Sequence, residues 1–139
     1  MIDDLYNTDV LSLAANIAHI GALDAPDSSV RKVSKLCGSW VEVDVKASDE
    51  IITEFAIRLQ ACALGQASAS ILAEKVVGAS LTELKEARDA LHAMLKQDGV
   101  APTGRFEKLG LLKEVSNYPA RHVSTLLPFN AVVEALEAV

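Results

Sequence analysis

Val41, Val43 and Val45 alternate with Glu42, Asp44 and Lys46. That period of two sets three valines on one face of a strand and three charges on the other, so the strand should lie over a core with its second face toward water. After the short polar Ser48-Asp49-Glu50, the segment Ile51 to Leu59 puts Ile51, Thr53, Phe55, Ile57 and Leu59 on one face and Glu54 and Arg58 on the other. Two such runs joined by a brief polar link predict a hairpin. Upstream, Asp24 to Ser29 gathers Pro26, two aspartates and two serines, and leads into Val30 to Leu36, whose alternation is blurred by Arg31, Lys32 and Lys35. A loop followed by a lysine-bearing edge strand is expected.

Helical spacing governs the rest. Val10, Leu13, Ala14, Ile17 and Ala18 recur at that spacing from Asp9 to Ile20, with Gly21 placed as a C-terminal cap. Residues 63 to 77 carry Leu64, Ala67, Ile71, Leu72 and Val76 on one stripe, and Gly78 is positioned to stop the helix. Ser80 and Glu83 have the spacing of a capping box, opening a helix whose stripe of Leu84, Ala87, Leu91 and Met94 continues toward Gly99. Val100 to Gly104 reads as a loop, a shorter amphipathic piece runs from about Arg105 to Val115, and Pro119 stands as the first residue of a final helix. This order predicts an α+β fold: a three-stranded antiparallel sheet covered on one face by helices, with an N-terminal helix. A length of 139 residues with half of them hydrophobic suits one domain over 1–139.

Several function classes lack a starting point. Thirteen Lys and Arg against nineteen Asp and Glu give a net charge of -6, and no basic cluster is denser than Arg31-Lys32 to Lys35. Nucleic acid and anionic membrane surfaces are therefore not expected as partners. Met1-Ile2-Asp3-Asp4 has no basic start, and the apolar stretch Val10 to Leu23 is broken by Asn16, His19 and Gly21, so neither a signal peptide nor a membrane span is expected. There is no phosphate-binding glycine loop, no dinucleotide fingerprint and no His-Glu-x-x-His helix. Ser68 and Ser70 sit in a helical stretch without a nucleophile elbow and suit close helix-to-sheet packing. His19 lies beside the apolar stripe of the first helix as a packing residue, while His92, among Arg88, Asp89 and Lys96, reads as helix surface. Trp40 and Phe129 are expected to pack.

The two cysteines carry what chemistry remains. Cys37 lies in Leu36-Cys37-Gly38-Ser39 between two strands, where Gly38 is free to take a positive φ in a tight turn. Cys62 follows the Ile51 to Leu59 strand and precedes the alanine-rich helix, near a helix N-terminus whose partial positive charge favours an anion. In a meander both connections fall at one edge of the sheet, which can bring the sulfurs together. Spacing alone is a weak metal signal, because closed zinc sites use four ligands and neither cysteine belongs to a Cys-x-x-Cys pair. Buried inert thiols are the default, and a disulfide is disfavoured in a reducing cytoplasm, the compartment that two unpaired thiols in such a chain suggest.

Taken together, Cys37-Gly38-Ser39, the Val and Ile hairpin, and Cys62-Ala63-Leu64-Gly65-Gln66-Ala67-Ser68-Ala69-Ser70 followed by Ile71-Leu72 resemble the U-type iron-sulfur cluster assembly scaffold family of IscU, SufU and the NifU N-terminal domain. Asp4-Leu5-Tyr6 resembles the family's start. The long connection Gly99 to Asn117 and Tyr118-Pro119-Ala120-Arg121 look like the SufU branch. The resemblance implies a scaffold rather than an enzyme. Three cysteines and an aspartate would hold an iron-sulfur cluster or zinc, and sulfur would come from a cysteine desulfurase. On that pattern Cys37 and Cys62 match the first two cysteines, Ser39 stands at the aspartate position, Ser124 at the third cysteine position, and Val123 replaces the histidine of the IscU branch. A serine hydroxyl stays protonated at neutral pH and is a poor ligand, so two anionic donors are missing. His122 could add an imidazole, although two positions along a helix turn it about 200° from Ser124. A homodimer could pool two thiolates per copy around a [2Fe-2S] cluster. Alternatively, the chain docks to a desulfurase without metal, or keeps one thiol as a persulfide carrier.

Overall fold

The computed structural model describes residues 5–35 and 38–139. Helix α1 (Thr8–Ala15) leads into strands β1 (Ser28–Val33), β2 (Trp40–Ser48) and β3 (Ile51–Gln60), followed by helices α2 (Ala63–Lys75) and α3 (Leu81–Lys96). A stretch of 3₁₀ turns over Gly104–Asn117 and a short one at Pro119–Arg121 precede the last helix, α4 (His122–Glu137). The strands pair antiparallel in the order β1-β2-β3, as the sequence predicts. Val30 stands opposite Val43, and Val43 opposite Ile57. Val41, Val43 and Val45 are fully buried, and α4 packs against β1 and β2. Among the described residues no helix is long and apolar enough to cross a membrane.

Several expectations need correction around the sheet. Helix α1 ends at Ala15 rather than Ile20, capped at its start by the Asn7 side chain, which accepts from Val10 N–H at 3.0 Å. Ile17 and Ala18 continue the spacing without continuing the helix. The chain instead turns at His19 (φ 63) and lays Ile20 beside Ile57, with Gly21 N–H donating to Ile57 C=O and Ile57 N–H donating to His19 C=O. These bonds satisfy part of the open edge of β3, which a longer helix would leave bare. His19 is therefore an exposed turn residue whose ring meets Phe55 edge-on, not a helix packing residue, and Gly21 is not a helix cap. The edge strand begins at Ser28 and stops at Val33, short of the expected Leu36, which lies outside the described residues.

In β3 the pairing steps from Lys46↔Glu54 to Ala47↔Ile52 and leaves Thr53 without a partner. This bulge inverts the inward parity: Phe55 and Ile57 face the core as expected, but Ile52 replaces Ile51 and Thr53 there. The outer face is also drier than alternation predicts. Asp44, expected to meet water, is only 3% exposed, because the crossing segment Gly21–Leu23 and Arg58 cover it.

The helical half follows its sequence signals closely. The Ser80–Glu83 capping box forms with both bonds at 3.1 Å. Phe106, Leu109, Leu112 and Val115 are the buried residues of the Gly104–Asn117 stretch, spaced three apart. That is the repeat of a 3₁₀ helix, so one face of successive turns fills the space against α2 and α3. Pro119 opens a 3₁₀ turn and not α4 itself, which starts at His122. Ser68 and Ser70 bond to Thr125 C=O and Asn16 C=O, so the small residues of α2 allow close approach to α4 and to the end of α1, not to the sheet.

Candidate functional site

The end of β3 delivers Cys62 to the N-cap position of α2, in extended conformation (φ -66, ψ 168). Its thiol is half-buried, and Sγ stands 3.3 Å from Ser124 Oγ on the first turn of α4. Ser124 is 2% exposed. The two elements come this close because α2 has glycine at position 65: a Cβ there would lie 2.8 Å from Ser124 Oγ and 2.9 Å from Ala61 Cβ. Further along the same crossing, Ser68 donates to Thr125 C=O at 2.7 Å, and Thr125 donates to Arg121 C=O at 2.8 Å. Pro128, inside α4, has no N–H to offer the Ser124 carbonyl one turn earlier.

On the solvent side of Cys62 lies an open depression of about 220 Å³ lined by Gly38, Ser39, Gln60, Ala61 and Cys62. Ser39 is buried beside it. Gly38 takes φ 73, with its N–H donating to Ser34 C=O at 2.9 Å, while Ser34 N–H donates to Ser39 C=O at 2.7 Å. The turn predicted around Gly38 thus closes the β1–β2 connection next to the depression. Cys37, expected at the site with Ser39, lies outside the described residues.

His122 is not at the depression. Its imidazole is buried and Nε2 bonds to Val115 C=O at 3.0 Å, so the ring ties α4 to the 3₁₀ stretch. The described donors near the thiol are then two hydroxyls. Among the described residues no three His, Cys, Asp or Glu side chains gather as a metal site. Since the chain has two cysteines in all, one copy offers at most two thiolates, and the donor set does not complete a four-ligand zinc site or cluster site.

A larger cleft of about 320 Å³ elsewhere, bounded by Glu83, Ala87, Pro102, Arg105 and Phe106, is of another kind. Arg105 donates to Glu83 at 3.0 Å and to Lys75 C=O at 2.8 Å, and Glu83 is held below the usual carboxylate range first by the Ser80 N–H. Those charges serve the start of α3 and carry no nucleophile.

Residues 5–123 match the family model of the NifU-like N terminal domain. The chain belongs to this family. Among solved structures, this NifU-like chain superposes on a nitrogen-fixing NifU-like protein (N-terminal) from Brucella abortus with a TM-score of 0.97 and 48% identity, over 99% of this chain and 95% of that one. It is 25% identical to the iron-sulfur cluster assembly scaffold protein IscU of Thermotoga maritima, over 97% of this chain and 94% of the relative. The scaffold protein IscU of Streptococcus pyogenes serotype M1 is likewise 25% identical, over 98% of this chain and 85% of the relative. Within the NifU-like fold, Gly65 is the site-building residue that sequence reasoning passed over. Its signal was available: a glycine three residues into an alanine-rich helix, where helix propensity disfavours it, implies that something packs against the missing side chain.

Proposed function

We propose that the chain serves in iron-sulfur cluster assembly as a scaffold-like protein that handles sulfur at Cys62, receiving it from a cysteine desulfurase. The observation that carries this reading is the placement of the Cys62 thiol, half-buried at a helix N-cap and lining an open depression, in a chain of this family. The step is thiol exchange: the Cys62 thiolate attacks the outer sulfur of the donor's persulfide, one S–S bond forms as the donor's breaks, and the donor cysteine leaves as a thiolate. The chain is then a carrier and not a catalyst. In a reducing cytoplasm the thiol stays available for this exchange.

A cluster is cargo for such a chain, and it calls for ligands beyond one copy. Two copies bringing Cys37 and Cys62 each would together supply four thiolates. Ser39 and Ser124 line or back the site as neutral hydroxyls, and we assign no metal bond to them or to His122.

Incubation with a cysteine desulfurase and L-cysteine, followed by intact-mass analysis, should show one sulfur added to the wild type and to Cys37→Ser, and none added at that site in Cys62→Ser. Desulfurase binding without sulfur gain would sink the carrier reading and leave a docking module. Stoichiometric zinc or cluster in a monomer would overturn the ligand argument.

A further inference from the structure

We infer that Ser124 is the residue that keeps sulfur on Cys62: its hydroxyl seats the thiol, and, being a hydroxyl, it cannot take the sulfur off again. This rests on the sulfur-carrying reading above and goes beyond it, because it concerns how long the cargo stays and what releases it.

The geometry is that of a resolving pair with the second sulfur replaced by oxygen. Cys62 Sγ and Ser124 Oγ stand 3.3 Å apart, and this contact is made across a crossing that is fixed on both sides. Ser124 is buried, Thr125 next to it is bonded to both Ser68 and Arg121, and the absent side chain of Gly65 provides the space in which the Ser124 hydroxyl sits. A neighbour held this way meets the inner sulfur of a Cys62 persulfide at contact distance.

What happens next depends on the neighbour's chemistry. A thiolate there would attack the inner sulfur: a bond forms between the two cysteine sulfurs, the Cys62–S–SH bond breaks, and the outer sulfur leaves as hydrosulfide, with no outside oxidant or reductant. The product is an internal disulfide and lost cargo. A serine hydroxyl stays protonated near neutral pH, so it has no anion with which to start this attack, and its contact with the sulfur is confined to a hydrogen bond. Sulfur on Cys62 therefore waits for a thiol or acceptor from outside the buried crossing. The depression beside Gly38, Ser39 and Gln60 is the open approach on that side.

The test uses the full chain in a Cys37→Ser background, so that Cys62 is the sole thiol, loaded with inorganic polysulfide and freed of excess reagent. Intact mass and released sulfide are followed over time. With Ser124 present the added sulfur should persist. Adding Ser124→Cys should shorten its lifetime by about tenfold or more, with one sulfide released per chain and an internal disulfide formed. Ser124→Ala, which loosens the seat without adding a thiol, should keep the sulfur far longer than Ser124→Cys. Equal lifetimes for the Ser124 and Ser124→Cys forms overturn the inference, as does loss from Ser124→Ala as fast as from Ser124→Cys, or failure of polysulfide to load Cys62. Loading by polysulfide but not by a desulfurase would instead remove the proposed function and leave the Ser124 inference standing.

Discussion

Two polar centres of this molecule are built by opposite rules. On the outer face of the sheet, Asp44 accepts from both Arg58 guanidinium nitrogens at 3.0 Å, from Ser29 Oγ at 2.7 Å and from Leu23 N–H at 3.1 Å. Every bonding direction of that carboxylate is spoken for, and Arg58 goes on to Gly21 C=O and Glu42. At the end of the same sheet, Cys62 has one contact to a hydroxyl and an open depression beside it. Saturation fastens the crossing segment to the sheet, whereas the sulfur chemistry proposed for Cys62 requires a group that keeps capacity in reserve. The contrast separates the structural polar site from the proposed chemical one more sharply than burial or charge would.

The largest test of that contrast is Asp44→Asn. The Arg58 interaction holds the Asp44 carboxyl at about 2, against 3.8 for the free group, in spite of its burial. Removing the charge should cost about 3 kcal/mol of stability in urea titrations. It should leave sulfur loading per folded molecule unchanged, the reverse of Cys62→Ser. Because the folded value is depressed, this stabilisation is in place above the unfolded value near 4 and drains as pH falls through about 2. It amounts to about 2 kcal/mol, and Asp44→Asn should lose that acid dependence. An acid transition identical in both proteins would break the assignment.

Gly65→Ala is the next in size. The new Cβ would overlap Ser124 Oγ and Ala61 Cβ, so the Ser124 hydroxyl must turn away or the crossing must open. A loss of about 2 kcal/mol is expected, together with a changed alkylation rate at Cys62 under native conditions. A stable variant with unaltered Cys62 reactivity would show that the crossing is looser than these distances require. Gly38→Val should have the smallest effect. A Cβ at Gly38 meets nothing within 4 Å, so only the left-handed backbone (φ 73) is penalised, by about 1 kcal/mol. An unchanged melting temperature would contradict that conformation.

The amino-acid order was sufficient for whatever depends on local periodicity. The alternating valines, the Ser80–Glu83 box and the stripes of α2 and α3 are repeated local preferences, and each element lies where those preferences put it. The family's residues at Cys62 and its following run were equally readable. Local spacing failed where a non-local partner decided the outcome. Ile17 and Ala18 keep helical spacing, yet the chain there leaves the helix to bond along β3. One unpaired residue, Thr53, reverses which isoleucine enters the core, because side-chain parity along a strand cannot absorb an extra residue. Asp44 reads as a solvent-facing charge until Arg58 and the crossing segment are folded over it. The meeting of Cys62 with Ser124, sixty-two positions apart, and the engagement of His122 by Val115 belong to the same class. Sequence determined which residue types were on hand and which elements would carry them. Tertiary packing alone decided which of them touch, since contact between distant positions is set by how helices and sheet fill a shared volume.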